Sequence, residues 1–158
     1  MKYVFVTGRV AVTVRYWEER GGEVEGGCRV DVRRVEPRYG ESHRPGAAGL
    51  SVLPVADGGI WRSDLLVLLG SPRGETRFHH HPTFEHGDVG GRDFEPAMQS
   101  DPRGWTLGKL ADLPKLLEES GAGDLAASVD RDEWRRALPL VEAAVDACLS
   151  RLPSPSGA

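Results

Sequence analysis

Hydrophobic and polar residues alternate strictly along Arg9-Val-Ala-Val-Thr-Val-Arg-Tyr16. Val10, Val12, Val14 and Tyr16 fall on one side, with Arg9, Thr13 and Arg15 among those on the other. A period of two with β-branched residues predicts a strand with one buried face. The same grammar returns at Cys28, Val30 and Val32, which oppose Arg29, Asp31 and Arg33. The two stretches are expected to form an antiparallel hairpin around a long acidic turn, Glu18 to Glu25. Residues 36–49 read as a loop on their Pro and Gly content, and Leu50–Val55 reads as a short strand limited by Pro54. Asp57-Gly58-Gly59 reads as a tight turn. Ile60–Leu69 carries the strongest strand signal and is apolar on both faces near its end, so it is expected to be central. Gly70–Gly74 turns the chain, Glu75–His81 returns as a strand stopped by Pro82, and Gly87, Gly90 and Gly91 mark another loop.

From Asp101 the period becomes helical. Asp101-Pro102 is an N-cap followed by proline at the first helical position. Trp105, Leu107, Leu110, Leu113 and Leu117 follow at near-helical spacing up to Gly121, and Pro114 must kink or split the helix, with Asp112 as a second cap. Asp130 and Glu133 have capping-box spacing ahead of a last helix. Its stripe of Trp134, Leu138, Val141, Val145, Cys148 and Leu152 should pack on the sheet, with Pro139 bending its first turns. The expected fold is α+β. A curved, mainly antiparallel sheet of five or six strands, open or closing toward a barrel, precedes two or three C-terminal helices packed on it. Residues 1–152 read as a single domain and 153–158 as a disordered tail.

Composition narrows the function classes. The 158 residues are 39% hydrophobic and 28% charged, enough for an ordinary core, and the formal charge is −4. No third of the chain is basic enough to neutralise phosphates, so neither a nucleic acid nor an anionic membrane is expected as partner. Cys28 and Cys148 are the only cysteines and form no CxxC pair, which argues for small buried apolar groups rather than a thiolate metal site. The amino-terminal stretch is broken by Gly8-Arg9 and lacks a small-residue cleavage site, and the longest strongly apolar run, Leu65–Leu69, is far too short to span a bilayer. A cytoplasmic location is the expectation. Seventeen arginines against three lysines, with no asparagine, read as a GC-rich bacterial coding bias.

The candidate chemistry lies between Arg62 and Glu95. Arg62 and Asp64 share a strand face with Ile60, Leu66 and Leu68, and charged residues on a greasy face need partners. In Phe78-His-His-His-Pro82, strand alternation sends His79 and His81 to one face, close enough to share a metal. Glu85 stands ready as a third ligand beyond the Pro82 turn. Two imidazoles and a carboxylate suit Zn²⁺, Fe²⁺ or Mn²⁺. Antiparallel pairing of 60–69 with 75–81 leaves the register open. If paired positions sum to 144, Asp64 faces His80, and Arg62, Asp64 and His80 form one polar face. If they sum to 145, Asp64 faces His81 and joins His79, His81 and Arg77. Either register offers a carboxylate–imidazole pair for proton transfer. Asp64, His79, His80 and His81 are thus the candidate catalytic groups, Arg62 and Arg77 the candidate ligand-binding groups, and His79, His81 and Glu85 the candidate metal ligands. The expected function is a pocket for a small polar or anionic ligand, with a divalent metal as the candidate cofactor; the alternative is a non-catalytic protein–protein interaction module. Gly121-Ala-Gly-Asp-Leu-Ala126 follows a helix rather than a strand, which removes it as a dinucleotide loop.

Two resemblances bear on this region. Gly74-x4-His79-x-His81-x3-Glu85-x5-Gly91 resembles the first motif of the cupin barrels. It departs in its first Gly–His gap, in having no histidine after His86, and in the helices of the C-terminal third. Trp61-Arg-Ser-Asp64, His79-His-His-Pro82-x-Phe84, Arg92-x-Phe94 and Asp101-Pro102-x-x-Trp105 together resemble a group of small uncharacterised bacterial proteins, a domain of unknown function. That resemblance implies that the polar positions belong to a pattern, and it brings no activity with it.

Overall fold

The computed structural model describes residues 1–19, 23–37, 55–71 and 75–152. Five antiparallel strands form a meander in the order β1 (Lys2–Thr7), β2 (Val10–Glu19), β3 (Glu25–Pro37), β4 (Val55–Leu68) and β5 (His79–His81). The sheet stays open and does not close into a barrel. A separate small hairpin, β6 (Phe84–Glu85) and β7 (Asp88–Val89), follows. The helices are α1 (Pro96–Ser100), α2 (Pro102–Ala111), α3 (Leu113–Glu119) and α4 (Arg131–Leu149), with a 3-10 turn at Gly123–Ser128. The α+β reading of strands first and helices last therefore holds. Among the described residues no helix is long and apolar enough to cross a membrane.

The helices cover one sheet face. Val10, Val12, Val14, Cys28, Val30, Val32, Trp61 and Leu65 pack against Leu110, Leu113, Leu117, Trp134, Val141, Val145 and Cys148. The three aspartates cap their helices as expected, although Asp130 N donates to Thr7 Oγ1 at 3.1 Å instead of closing a capping box with Glu133. Asp101 Oδ1 accepts from Gly104 N at 2.8 Å, Asp112 Oδ1 from Lys115 N at 3.4 Å, and Asp130 Oδ1 from both Asp132 N and Glu133 N. Pro114 splits the first helical stretch into α2 and α3, while Pro139 sits inside α4. Buried polar contacts tie the elements together: Ser63 Oγ of β4 and Thr106 Oγ1 of α2 lie 2.8 Å apart, and within the helical layer Trp134 Nε1 of α4 donates to Leu110 O of α2 at 2.7 Å. Gly8 turns β1 into β2 at φ +54° and lies so near the 3-10 turn that a Cβ there would stand 1.9 Å from Ser128 O.

Several local expectations change. β1, not foreseen in the sequence, is an edge strand beyond the Gly8 turn. The acidic turn shrinks, since pairing of β2 with β3 continues to Glu19↔Glu25. Asp57-Gly58-Gly59 is not a turn but the first part of β4, paired with Val35, Arg34 and Arg33. Glycine serves there for close approach: a Cβ on Gly59 would stand 2.1 Å from the Phe84 ring. A bulge opposite Val32/Arg33 then turns Ile60 as well as Trp61 into the helix-side core, so Ile60 does not share the face of Arg62 and Asp64. The return strand is shorter than expected, with only the bridge Val67↔Thr76 ahead of β5. Of the expected strand Leu50–Val55, only the last residue is described, and it begins β4. The rest of that strand, nearly all of the loop before it, and the tail at 153–158 lie outside the described residues.

Candidate metal centre on the open face

The face of the sheet away from the helices is polar, and its registers bring charges of opposite sign together. Two rows cross the strands: Arg15, Arg29, Asp64 and His79 in one, Thr13, Asp31, Arg62 and His81 in the next. Arg29 Nε donates to Asp64 Oδ1 at 2.5 Å and Arg62 Nε to Asp31 Oδ1 at 2.6 Å. Arg15 reaches Asp31 at 4.0 Å, and the Arg29 guanidinium stacks 3.8 Å above the Trp17 ring. Burial lowers the pKa of Arg15 from its usual value; Asp31 opposes that shift, whereas Arg29, Arg62 and Arg33 add to it. The charges are thus compensated in pairs, which is the condition for keeping them off water.

The observed register pairs Asp64 with His79 and Arg62 with His81, so paired positions sum to 143. This is neither register weighed from the sequence, but it is displaced by two residues from the second and therefore keeps its facing. Arg62, Asp64, His79 and His81 share the open face, and His80 points to the helix side.

Asp64 Oδ2 lies 3.4 Å from His79 Nε2 and 3.5 Å from His81 Nε2, with side-chain exposures of 1%, 4% and 6%. His79 Nδ1 is 2.8 Å from Arg77 O, and His81 Nδ1 is 2.8 Å from Gly90 O. A carbonyl oxygen only accepts, so each Nδ1 carries the ring proton and each Nε2 presents a lone pair in the neutral imidazole. Asp64 Oδ2 is buried and receives no hydrogen bond. Two imidazole lone pairs and a carboxylate oxygen therefore face one another. Burial lowers the pKa of His79, against the pull of Arg77 O and Asp64, and so favours the neutral ring. For Asp64, burial pushes the carboxyl upward, and the Arg29 guanidinium works against it, so that the group stays below its ordinary value. The tautomers are set by the carbonyls of Arg77 and Gly90.

These groups line a cleft of about 490 Å³ together with Trp17, Leu66, Val89, Gly90 and Gly91, the cations Arg29, Arg62 and Arg92, and the carboxylates Glu19 and Glu25. Arg77 stays outside the cleft lining, 3.1 Å from Glu23 and 3.8 Å from Glu25 and from Glu75. Glu85 is exposed at the end of β6 and is not among the donors that converge; Asp64 takes that place. Arg29 and Asp31 were missed as site residues. Their alternation with Cys28, Val30 and Val32 had marked them as polar-face positions, but that pattern is the same for a solvated face and for a cleft floor. Gly90 was missed because it contributes only a main-chain oxygen.

No curated protein and no solved structure matches the chain. Residues 75–145, from the return toward β5 into α4, match the model of a family described as a domain of unknown function (DUF7700), in keeping with the resemblance read from the sequence.

Proposed function

We propose that the protein holds a divalent metal ion on Asp64, His79 and His81 and binds a small anionic ligand beside it in the cleft. The observation that carries this reading is the convergence of two imidazole Nε2 atoms, whose Nδ1 atoms lie on carbonyl oxygens, on a buried carboxylate oxygen that lacks a hydrogen-bond donor. Without a cation between them these three atoms repel. Tetrahedral ligands at bond lengths of 2.0–2.1 Å stand about 3.3 Å apart, close to the 3.4 and 3.5 Å found here. The donation of both Nδ1 protons to main-chain carbonyls is the usual outer support of metal-binding histidines. Two imidazoles and one carboxylate fit Zn²⁺, Mn²⁺ or Fe²⁺ and leave coordination positions toward the cleft. Arg29, Arg62 and Arg92 line the same cleft and, together with the metal, outweigh the Glu19 and Glu25 carboxylates that also line it, which favours an anion there. A metal so held polarises a bound oxygen ligand or acidifies a bound water.

The test uses the full chain, purified without an affinity tag, stripped with chelator and titrated with Zn²⁺ alone and then with inorganic phosphate. One equivalent of Zn²⁺ should be lost on Asp64→Asn and on His81→Ala with the far-ultraviolet circular dichroism unchanged, and phosphate should bind more tightly to the loaded protein. Equal Zn²⁺ binding by wild type and both variants would overturn the metal reading. Phosphate affinity indifferent to Zn²⁺ would overturn the anion reading.

A further inference from the structure

The third histidine of the triplet has no role in that centre, because alternation along β5 turns it to the opposite face. His80 is 5% exposed, and neither ring nitrogen has a hydrogen-bond partner. Its Nε2 lies 3.4 Å from Glu95 Oε1 and 3.7 Å from Asp93 Oδ2. A buried ring with two unsatisfied nitrogens is costly unless something meets it. The neighbouring rings of Trp105, at 4.8 Å, and Trp61, at 6.3 Å, supply packing and no acceptor to this nitrogen. One oxygen of Glu95 is held by Trp105 Nε1 at 3.3 Å, which orients the other toward His80. Lys109, the nearby cation, is engaged 3.1 Å from Glu119.

We propose that His80, Asp93 and Glu95 form a second divalent-cation site, which ties residues 91–95 to β5 from the helix side. The donor atoms of these residues lie within 4.8 Å of one another. One imidazole with two carboxylates is a donor set for Zn²⁺ or Mn²⁺. The backbone is already in place, since His80 and Asp93 exchange main-chain hydrogen bonds of 3.0 and 2.8 Å. That bridge gives 92–95 an alternation of its own. Arg92 lines the open cleft and the Phe94 ring lies 5.7 Å from His79, whereas Asp93 and Glu95 turn to His80. An ion on one side of this segment therefore stiffens the wall of the cleft on the other. The site stands on its own donors and does not depend on the first centre.

The experiment removes the first centre with Asp64→Asn in the untagged full chain and titrates Zn²⁺ or Mn²⁺ alone. The expected result is one remaining equivalent, lost on adding Asp93→Asn and Glu95→Gln. Both of these side chains are partly exposed, at 57% and 39%, so the changes spare the core. Metal should also slow hydrogen exchange of the His80 and Asp93 amides in the Asp64→Asn protein. Should Asp64→Asn fail to fold, the same pair of substitutions in the otherwise wild-type chain should lower the stoichiometry from two to one. No metal bound by a folded Asp64→Asn protein, or an equivalent that survives loss of both carboxylates, would overturn the second site. A wild-type protein holding one equivalent that persists in Asp64→Asn and vanishes in the double variant would sink the first centre and leave the second standing.

Discussion

The two faces of this sheet are built from the same strands yet solve different problems. Toward the helices, Val12, Val30, Trp61 and Leu65 meet Leu110, Leu117 and Val145 and are held by exclusion of water. Away from them, Arg29, Asp31, Arg62 and Asp64 are nearly as dry, but each is held by a partner of opposite charge across a strand pair. An apolar face tolerates any neighbour of suitable volume. A charged one depends on register, because a shift of one residue would exchange pairing for isolation. An error of register is therefore costlier on the second face than on the first.

The largest separation of the two faces should come from truncating the first. Leu117 is fully buried, and Leu117→Ala should cost about 2–5 kcal/mol, read as a lower urea midpoint, with the Zn²⁺ equivalent at Asp64 retained by the folded protein. Loss of metal with unfolding complete only at higher urea would show that the faces are less independent than this. Next comes Asp64→Asn, which keeps an acceptor for Arg29 but removes the charge. At metal concentrations near a hundredfold Kd, filling the first centre should add about 2.7 kcal/mol to the wild type, and in the variant that gain should disappear from thermal melts. A smaller effect is expected at the buried hydroxyl pair of Ser63 and Thr106, which joins sheet to helix. A double-mutant cycle of Ser63→Ala with Thr106→Val should return a coupling of about 1 kcal/mol, and additivity would mean that apolar packing alone sets the register there.

The smallest effect belongs to the exposed ion pairs of the helical layer. Arg103 hydrogen-bonds Asp146 and Glu142 and holds the Asp146 carboxyl below its ordinary pKa. A depressed folded value means that the contribution is fully present above the unfolded carboxylate pKa of about 3.9 and fades as pH falls through the folded one. Arg103→Ala should therefore lower stability slightly at neutral pH, and its difference from wild type should close below about pH 4. A difference that persists in strong acid would point to lost packing of the arginine stem instead.

Much of the fold was legible because it depends on local rules. Asp101-Pro102, Asp112 before Pro114, and Asp130 each cap the helix they announce, since a carboxylate satisfies free amides wherever it meets them. The two-residue period of Val10–Tyr16 likewise marks its face without reference to any other strand. Asp57-Gly-Gly59 misled because glycine is equally suited to a turn and to a strand that another ring must approach, and the Phe84 ring that decides between them comes twenty-five residues later. The candidate site shows the same limit. Alternation alone separates His79 and His81 from His80, but the residues between the two strands do not fix which position of β4 each histidine meets.

By itself the sequence determined which residues are greasy, which are charged, where helices begin, and that the histidines of the triplet must part to two faces. Those properties follow from side-chain chemistry and backbone period, both local. Only the tertiary structure decided that Asp64 rather than Glu85 meets His79 and His81, that the carbonyls of Arg77 and Gly90 hold their tautomers, and that Asp93 and Glu95 close on His80. Each of these is a contact between separate segments. It is set by strand pairing and by the bulge near Ile60, which no single segment encodes.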